Sequence, residues 1–132
     1  MIDVIKFIND RYDYKFDQDQ YQVADLWKVM ALKDGRLVGD CEDYALTVLW
    51  YLSGESLMKF VWNLLTYRAR IWYVTVPGGG GHALLEFDGK FIDQWKMEWT
   101  PKNVYEGVFD FKFYYNPLIV LRKLITGYYF KG

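Results

Sequence analysis

Apolar residues recur along this chain with two different periods, and the change of period separates a helical part from a sheet part. Between about Glu42 and Leu52, the residues Ala45, Val48, Leu49 and Leu52 fall at i, i+3, i+4 and i+7, the spacing of one buried helical face. Four residues before Ala45 stands Cys41, so the thiol is predicted at the helix N-terminus, on the side that packs. Gly39-Asp40 ahead of it supplies a close approach and a capping-type residue. Glu42 and Asp43 put acids in the first turn, where the helix dipole favours them. Ser53-Gly54 ends the helix. A second helix is predicted from about Glu55 to Thr66, with Leu57, Phe60, Val61, Leu64 and Leu65 on its apolar side. Before Gly39 the pattern weakens to short helical stretches with loops: Ile2, Ile5 and Ile8 or Asn9 are helically spaced, and Lys33-Asp34-Gly35 signals a turn.

From Arg70 the pattern becomes that of strands. Ile71 to Val76 is β-branched and aromatic, and Pro77 followed by Gly78 to Gly81 breaks it. His82 to Phe87 and Lys90 to Trp95 flank Asp88-Gly89, a strong signal for a hairpin with a two-residue type I′ turn. Val108 to Tyr115 reads as another strand, and Leu118 to Ile125 fits helix or strand equally.

The hairpin carries a geometric consequence. A two-residue turn pairs Phe87 with Lys90, which sets Leu84 opposite Asp93 and His82 opposite Trp95. His82, Leu84 and Glu86 then share a face with Phe91, Asp93 and Trp95. His82 and Asp93 become diagonal neighbours, about 7 to 8 Å apart at the backbone, a gap that an imidazole and a carboxylate bridge with a hydrogen bond.

Composition narrows what this can mean. The 132 residues fit one domain, 1–132, with no repeat or linker inside it. Sixteen basic against seventeen acidic residues give a formal charge of -1, no footprint for a nucleic-acid backbone. No apolar run approaches the roughly 20 residues of a membrane span. One cysteine excludes an internal disulfide framework and a multi-thiolate zinc site. Met1 to Lys6 has an acid at its third position and no signal-peptide pattern, so a cytoplasmic or phage-associated protein is expected.

A nucleophilic thiol needs surroundings that favour thiolate, a base within reach and a group that orients the base. The chain offers one candidate for each role: Cys41, its only thiol, His82, its only imidazole, and Asp93, if the helix lies across that sheet face. Taken singly, a lone cysteine is often a small buried hydrophobe and a lone strand histidine a hydrogen-bonded scaffold. Gly78 to Gly81 serves either as a flexible loop or as a place for close backbone approach by substrate or lid.

The run Gly39-Asp40-Cys41-Glu42-Asp43-Tyr44-Ala45-Leu46 closely resembles the nucleophile motif of the bacterial transglutaminase-like cysteine proteinases, within the papain-like and transglutaminase-like superfamily. The likeness extends to Arg11-Tyr12, Asp25-Leu26-Trp27, Gly81-His82-Ala83-Leu84-Leu85 and Phe91-Ile92-Asp93-Gln94, covering roughly residues 9 to 95. It implies an α+β fold with the nucleophile helix packed on an antiparallel sheet, and a Cys41-His82-Asp93 triad that cleaves peptide bonds in a protein or peptide substrate. It also implies calcium held by carboxylates beside the nucleophile, here Asp40, Glu42 and Asp43; the chemistry itself requires no cofactor. Three acids this close to a thiol oppose its ionisation unless a dipole, an imidazolium or a cation offsets them. Their other reading is that Asp40 caps the helix and Glu42 and Asp43 complement its dipole. The family pattern often has Gly-x-Gly before Asp-Cys and Thr-Pro after Trp, where this chain has Leu37-Val38-Gly39 and Lys28-Val29-Met30. These departures bear on substrate preference.

The expected activity is thus cysteine peptidase, with the Cys41 backbone N–H and the Trp27 indole as oxyanion donors. The alternatives are a catalytically inactive module that binds a protein partner and a transamidase that passes the acyl group to an amine.

Overall fold

The computed structural model describes residues 4–14, 29–30, 34–39, 41–77 and 81–131. A short helix α1 (Val4–Asn9) leads into β1 (Tyr12–Tyr14), which pairs in parallel with β2 (Leu37–Gly39). Helices α2 (Cys41–Leu52) and α3 (Leu57–Leu65) follow, then β3 (Ala69–Thr75), β4 (Gly81–Phe87), β5 (Lys90–Ile92), α4 (Lys102–Glu106), β6 (Asp110–Tyr114) and α5 (Pro117–Lys131). Strands β3 to β6 form an antiparallel sheet in the order β5-β4-β3-β6, so the fold is α+β. Among the described residues, no helix is long and apolar enough to cross a membrane.

Local chemistry explains the boundaries. Helix α2 ends where Gly54 and Glu55 adopt left-handed φ of 70° and 57°. Ser56 caps α3 by accepting the Lys59 N–H at 3.3 Å, and Asn63 Nδ2 donates to Ser53 Oγ at 3.0 Å, tying α3 back to the end of α2. Asp88 and Gly89 have φ of 52° and 82°, both left-handed as a type I′ turn requires, and Phe87 pairs with Lys90 as predicted. The segment that fits helix or strand by sequence is the helix α5. Asn116 Oδ1 accepts the Leu118 N–H at 2.8 Å, and Pro117 occupies the first turn.

Two corrections concern the sheet. Strand β5 stops at Ile92, not Trp95, because Asp93 opens a turn: the Lys96 N–H donates to Asp93 Oδ1 and the Met97 N–H to the Asp93 carbonyl, both at 2.8 Å. The outer edge of β5 is occupied instead by Thr100, which exchanges backbone hydrogen bonds with Phe91 at 3.0 and 2.7 Å. On the opposite margin, β6 carries an Asp110–Lys112 ion pair at 2.6 Å.

The second correction is the face on which α2 packs. Ala69, Ile71, Ala83, Leu85 and Ile92 form one core with Tyr44, Ala45, Val48 and Leu49 of α2. Val74, Leu84 and Phe91 point to the other face, where Tyr105 and Phe109 cover them. His82 alternates with Leu84 and contacts Phe109, so α2 lies on the face opposite the one that carries the imidazole. Alanines at 69 and 83 let a helix approach one face closely, whereas Trp72, Phe91 and Phe111 fill the other.

Candidate functional site

His82 is the second residue of β4 and is almost fully buried. Its Nε2 lies 2.7 Å from Asp93 Oδ2, and Asp93 is itself completely buried. The other carboxylate oxygen, Oδ1, accepts the Tyr105 hydroxyl at 2.9 Å and the Lys96 N–H at 2.8 Å. Three donors on two oxygens hold the carboxylate plane fixed, and that plane aims one oxygen at the imidazole. A neutral imidazole that donates its Nε2 hydrogen to Asp93 carries its lone pair on Nδ1, so the pairing selects the tautomer.

Aromatic rings enclose this pair. The Trp95 indole stacks on the imidazole at 4.1 Å and 17°, with more than half its own surface exposed, and Phe109 leans on the imidazole at 5.5 Å. Tyr105 stacks on Phe109 at 5.6 Å. Burial, then the nearby Asp93 charge, push the Tyr105 phenol above its ordinary range, which keeps it a hydroxyl donor at all ordinary pH.

Cys41 is the first residue of α2 and is partly buried, with its thiol donating to Glu42 Oε2 at 3.4 Å. Its helix end is tied to the Asp93 turn. One turn along α2, the Tyr44 hydroxyl donates to Asn9 Oδ1 at 2.7 Å, and Asn9 Nδ2 donates to the Met97 carbonyl at 2.6 Å. Met97 in turn bonds Asp93 through its N–H. A relay of hydrogen bonds through Asn9 and Met97 therefore links Tyr44 of α2 to the turn that carries Asp93. The imidazole bonds Asp93, and the thiol donates to Glu42.

The close approach predicted at Gly39 is observed. A Cβ there would lie 2.7 Å from Asp43 Cβ and 2.9 Å from Met30 Sδ, so only glycine fits without displacement. Asp43 is buried against this backbone, while the Glu42 carboxylate turns to the thiol. The two acids thus face different surroundings, and among the described residues no three carboxylate, thiol or imidazole groups converge as metal ligands. Asp40 and Trp27 lie outside the described residues.

Tyr105, Asn9 and the Lys96 N–H are parts of the site that sequence reasoning missed. Tyr105 sits on α4, a five-residue helix whose one sequence signal is Pro101 at its start. Asn9 ends α1 and gives no sign of its long-range contacts. In comparisons with known proteins, no family model matches the chain and no curated protein matches it.

Proposed function

We propose that this chain is a cysteine peptidase of transglutaminase-like architecture, acting on a protein or peptide through a thioester acyl-enzyme. In this reading His82 Nδ1 accepts the Cys41 proton and the thiolate attacks an amide carbonyl. The same imidazolium then protonates the leaving amine as the C–N bond breaks. Water, deprotonated by His82, hydrolyses the thioester, releasing the carboxylic acid and restoring the thiol. The Cys41 backbone N–H, at the start of α2, serves as an oxyanion donor, with the Trp27 indole as a second. The half-exposed indole of Trp95, beside the imidazole, gives a peptide an apolar wall.

The observation that carries this reading is the buried 2.7 Å His82–Asp93 hydrogen bond through Nε2, which leaves Nδ1 as the basic nitrogen. The mechanism needs Cys41 to turn from Glu42 to that nitrogen.

A second reading, a non-catalytic module that binds a protein partner, is favoured by two observations: the thiol donates to Glu42, and α2 packs on the face opposite His82. Iodoacetamide at a pH well below the ordinary thiol value of about 8.5 separates the two. The peptidase reading expects rapid carbamidomethylation of Cys41 and, with fluorescently labelled casein as substrate, cleavage that Cys41→Ser abolishes. Alkylation as slow as that of an ordinary thiol overturns it in favour of the binding module.

A further inference from the structure

Asn9, the last residue of α1, bridges two parts of the molecule that are remote from it in sequence. Its Oδ1 accepts the Tyr44 hydroxyl of α2 at 2.7 Å, and its Nδ2 donates to the Met97 carbonyl at 2.6 Å. Chemistry fixes which way the amide points: a carbonyl can only accept, so the nitrogen faces Met97 and the oxygen faces the hydroxyl. The α1 end of this bridge is seated firmly on α2. Ile8 is fully buried in the core that α2 shares, the Phe7 ring leans on Tyr51 at 5.3 Å, and Tyr12 meets Tyr44 edge to face at 5.0 Å.

The other end is a stretch of backbone that needs holding. Met97 has φ of 56°, in the left-handed region where a side chain crowds the following carbonyl. Its N–H closes the turn onto the Asp93 carbonyl at 2.8 Å. Within that turn lie the exposed Trp95 indole, stacked on the imidazole at 4.1 Å, and the Lys96 N–H that bonds Asp93 Oδ1. Tyr105 grips the carboxylate itself, whereas Asn9 grips the far end of the turn. Without that second grip, Met97 relaxes toward negative φ, and the carboxylate and the indole shift with it.

We propose that Asn9 is a positioning residue: through Met97 it holds the Asp93 turn, with the carboxylate and indole that orient His82, in fixed relation to α2. Its bearing on catalysis rests on the peptidase reading, in which α2 presents the thiol that His82 deprotonates. The residue type follows from the two partners. A primary amide supplies a donor and an acceptor on one short planar group. An aspartate there supplies acceptors alone at neutral pH, and a donor only when protonated.

The test uses the chain's single imidazole, whose ring protons give one set of NMR signals, displaced upfield by the ring current of the stacked Trp95 indole. Asn9→Asp is expected to lose at least half of that displacement at neutral pH, where its carboxylate repels the Met97 carbonyl. Compared with the parent at each pH, it should recover below about pH 4, as the protonated carboxyl restores the donor. Asn9→Ala should lose the displacement at every pH. It leaves the buried Tyr44 hydroxyl without its partner, so it is also made together with Tyr44→Phe, which removes the orphan and keeps a folded protein for the same measurement. With labelled casein, Asn9→Ala should lower kcat about tenfold and leave KM unchanged. The proposal is overturned if folded Asn9→Asp and Asn9→Ala keep the parent's His82 signals, if Asn9→Asp shows no recovery on acidification, or if the parent and Asn9→Ala cleave casein alike. A parent that cleaves no casein overturns the peptidase reading, and the His82 signals then decide by themselves whether Asn9 holds the turn.

Discussion

The Tyr105 hydroxyl donates to Asp93 at 2.9 Å, on the carboxylate oxygen that His82 does not use. Burial of the whole group makes this bond an obligation, since a carboxylate oxygen left short of donors in that setting is costly. Tyr105→Phe is therefore expected to lower stability by about 1.5–3 kcal/mol in urea unfolding. Under the peptidase reading it also slows turnover by loosening the carboxylate. Asp93→Asn does more: the amide can donate to Nε2 and so select the wrong tautomer, with an expected turnover loss on the order of 10³–10⁴-fold.

If His82 activates the thiol, its removal must change how Cys41 reactivity depends on pH. In the parent, carbamidomethylation should persist well below the ordinary thiol value. In His82→Gln it should collapse to a single titration near about 8.5. Identical profiles for the two proteins would remove His82 from any role in thiol chemistry.

Tyr44 and Tyr105 make stability fall at alkaline pH. Burial first, and the Asp93 charge second, raise both phenols above their ordinary value of 10.0. The folded state thus holds two protons that the unfolded chain releases more easily. Their effect on stability is constant below about pH 10, and stability falls as pH rises from there toward the folded values. The expected slope is about 1.4 kcal/mol per pH unit for each tyrosine. Urea unfolding at a series of alkaline pH values measures it. Tyr44→Phe should halve the combined slope of this pair, on top of a pH-independent loss from its bond to Asn9.

Gly39→Ala places a methyl group inside contact distance of Asp43 and Met30. The neighbours include the Asp43 Cβ, which cannot swing away, so a loss of about 1–3 kcal/mol is expected. The shift would also disturb the segment that leads directly into Cys41. Chemical unfolding reports the first effect and iodoacetamide kinetics the second.

Much of the site was legible because short-range chemistry fixed it. Asp88-Gly89 specifies a turn with two left-handed residues, that turn specifies register, and register puts His82 beside Asp93. Helical spacing located α2 and placed Cys41 at its start. What alternation leaves undecided is which face a distant helix chooses. That choice rests on Ala69 and Ala83 on one side against Trp72 and Phe91 on the other, a comparison across three strands. Tyr105 was illegible for a related reason: its helix is too short to show a period, and its hydroxyl finds Asp93 only after the chain has folded back over the sheet.

Thr100 zips onto Phe91 along one margin of the sheet, and the Asp110–Lys112 pair decorates the other. A ladder with its first rail already taken and its last one charged is a poor template for open-ended stacking of further copies. The protein can thus keep a strongly aromatic sheet, Trp72, Phe91 and Phe111 included, at working concentrations without recruiting its neighbours into fibrils.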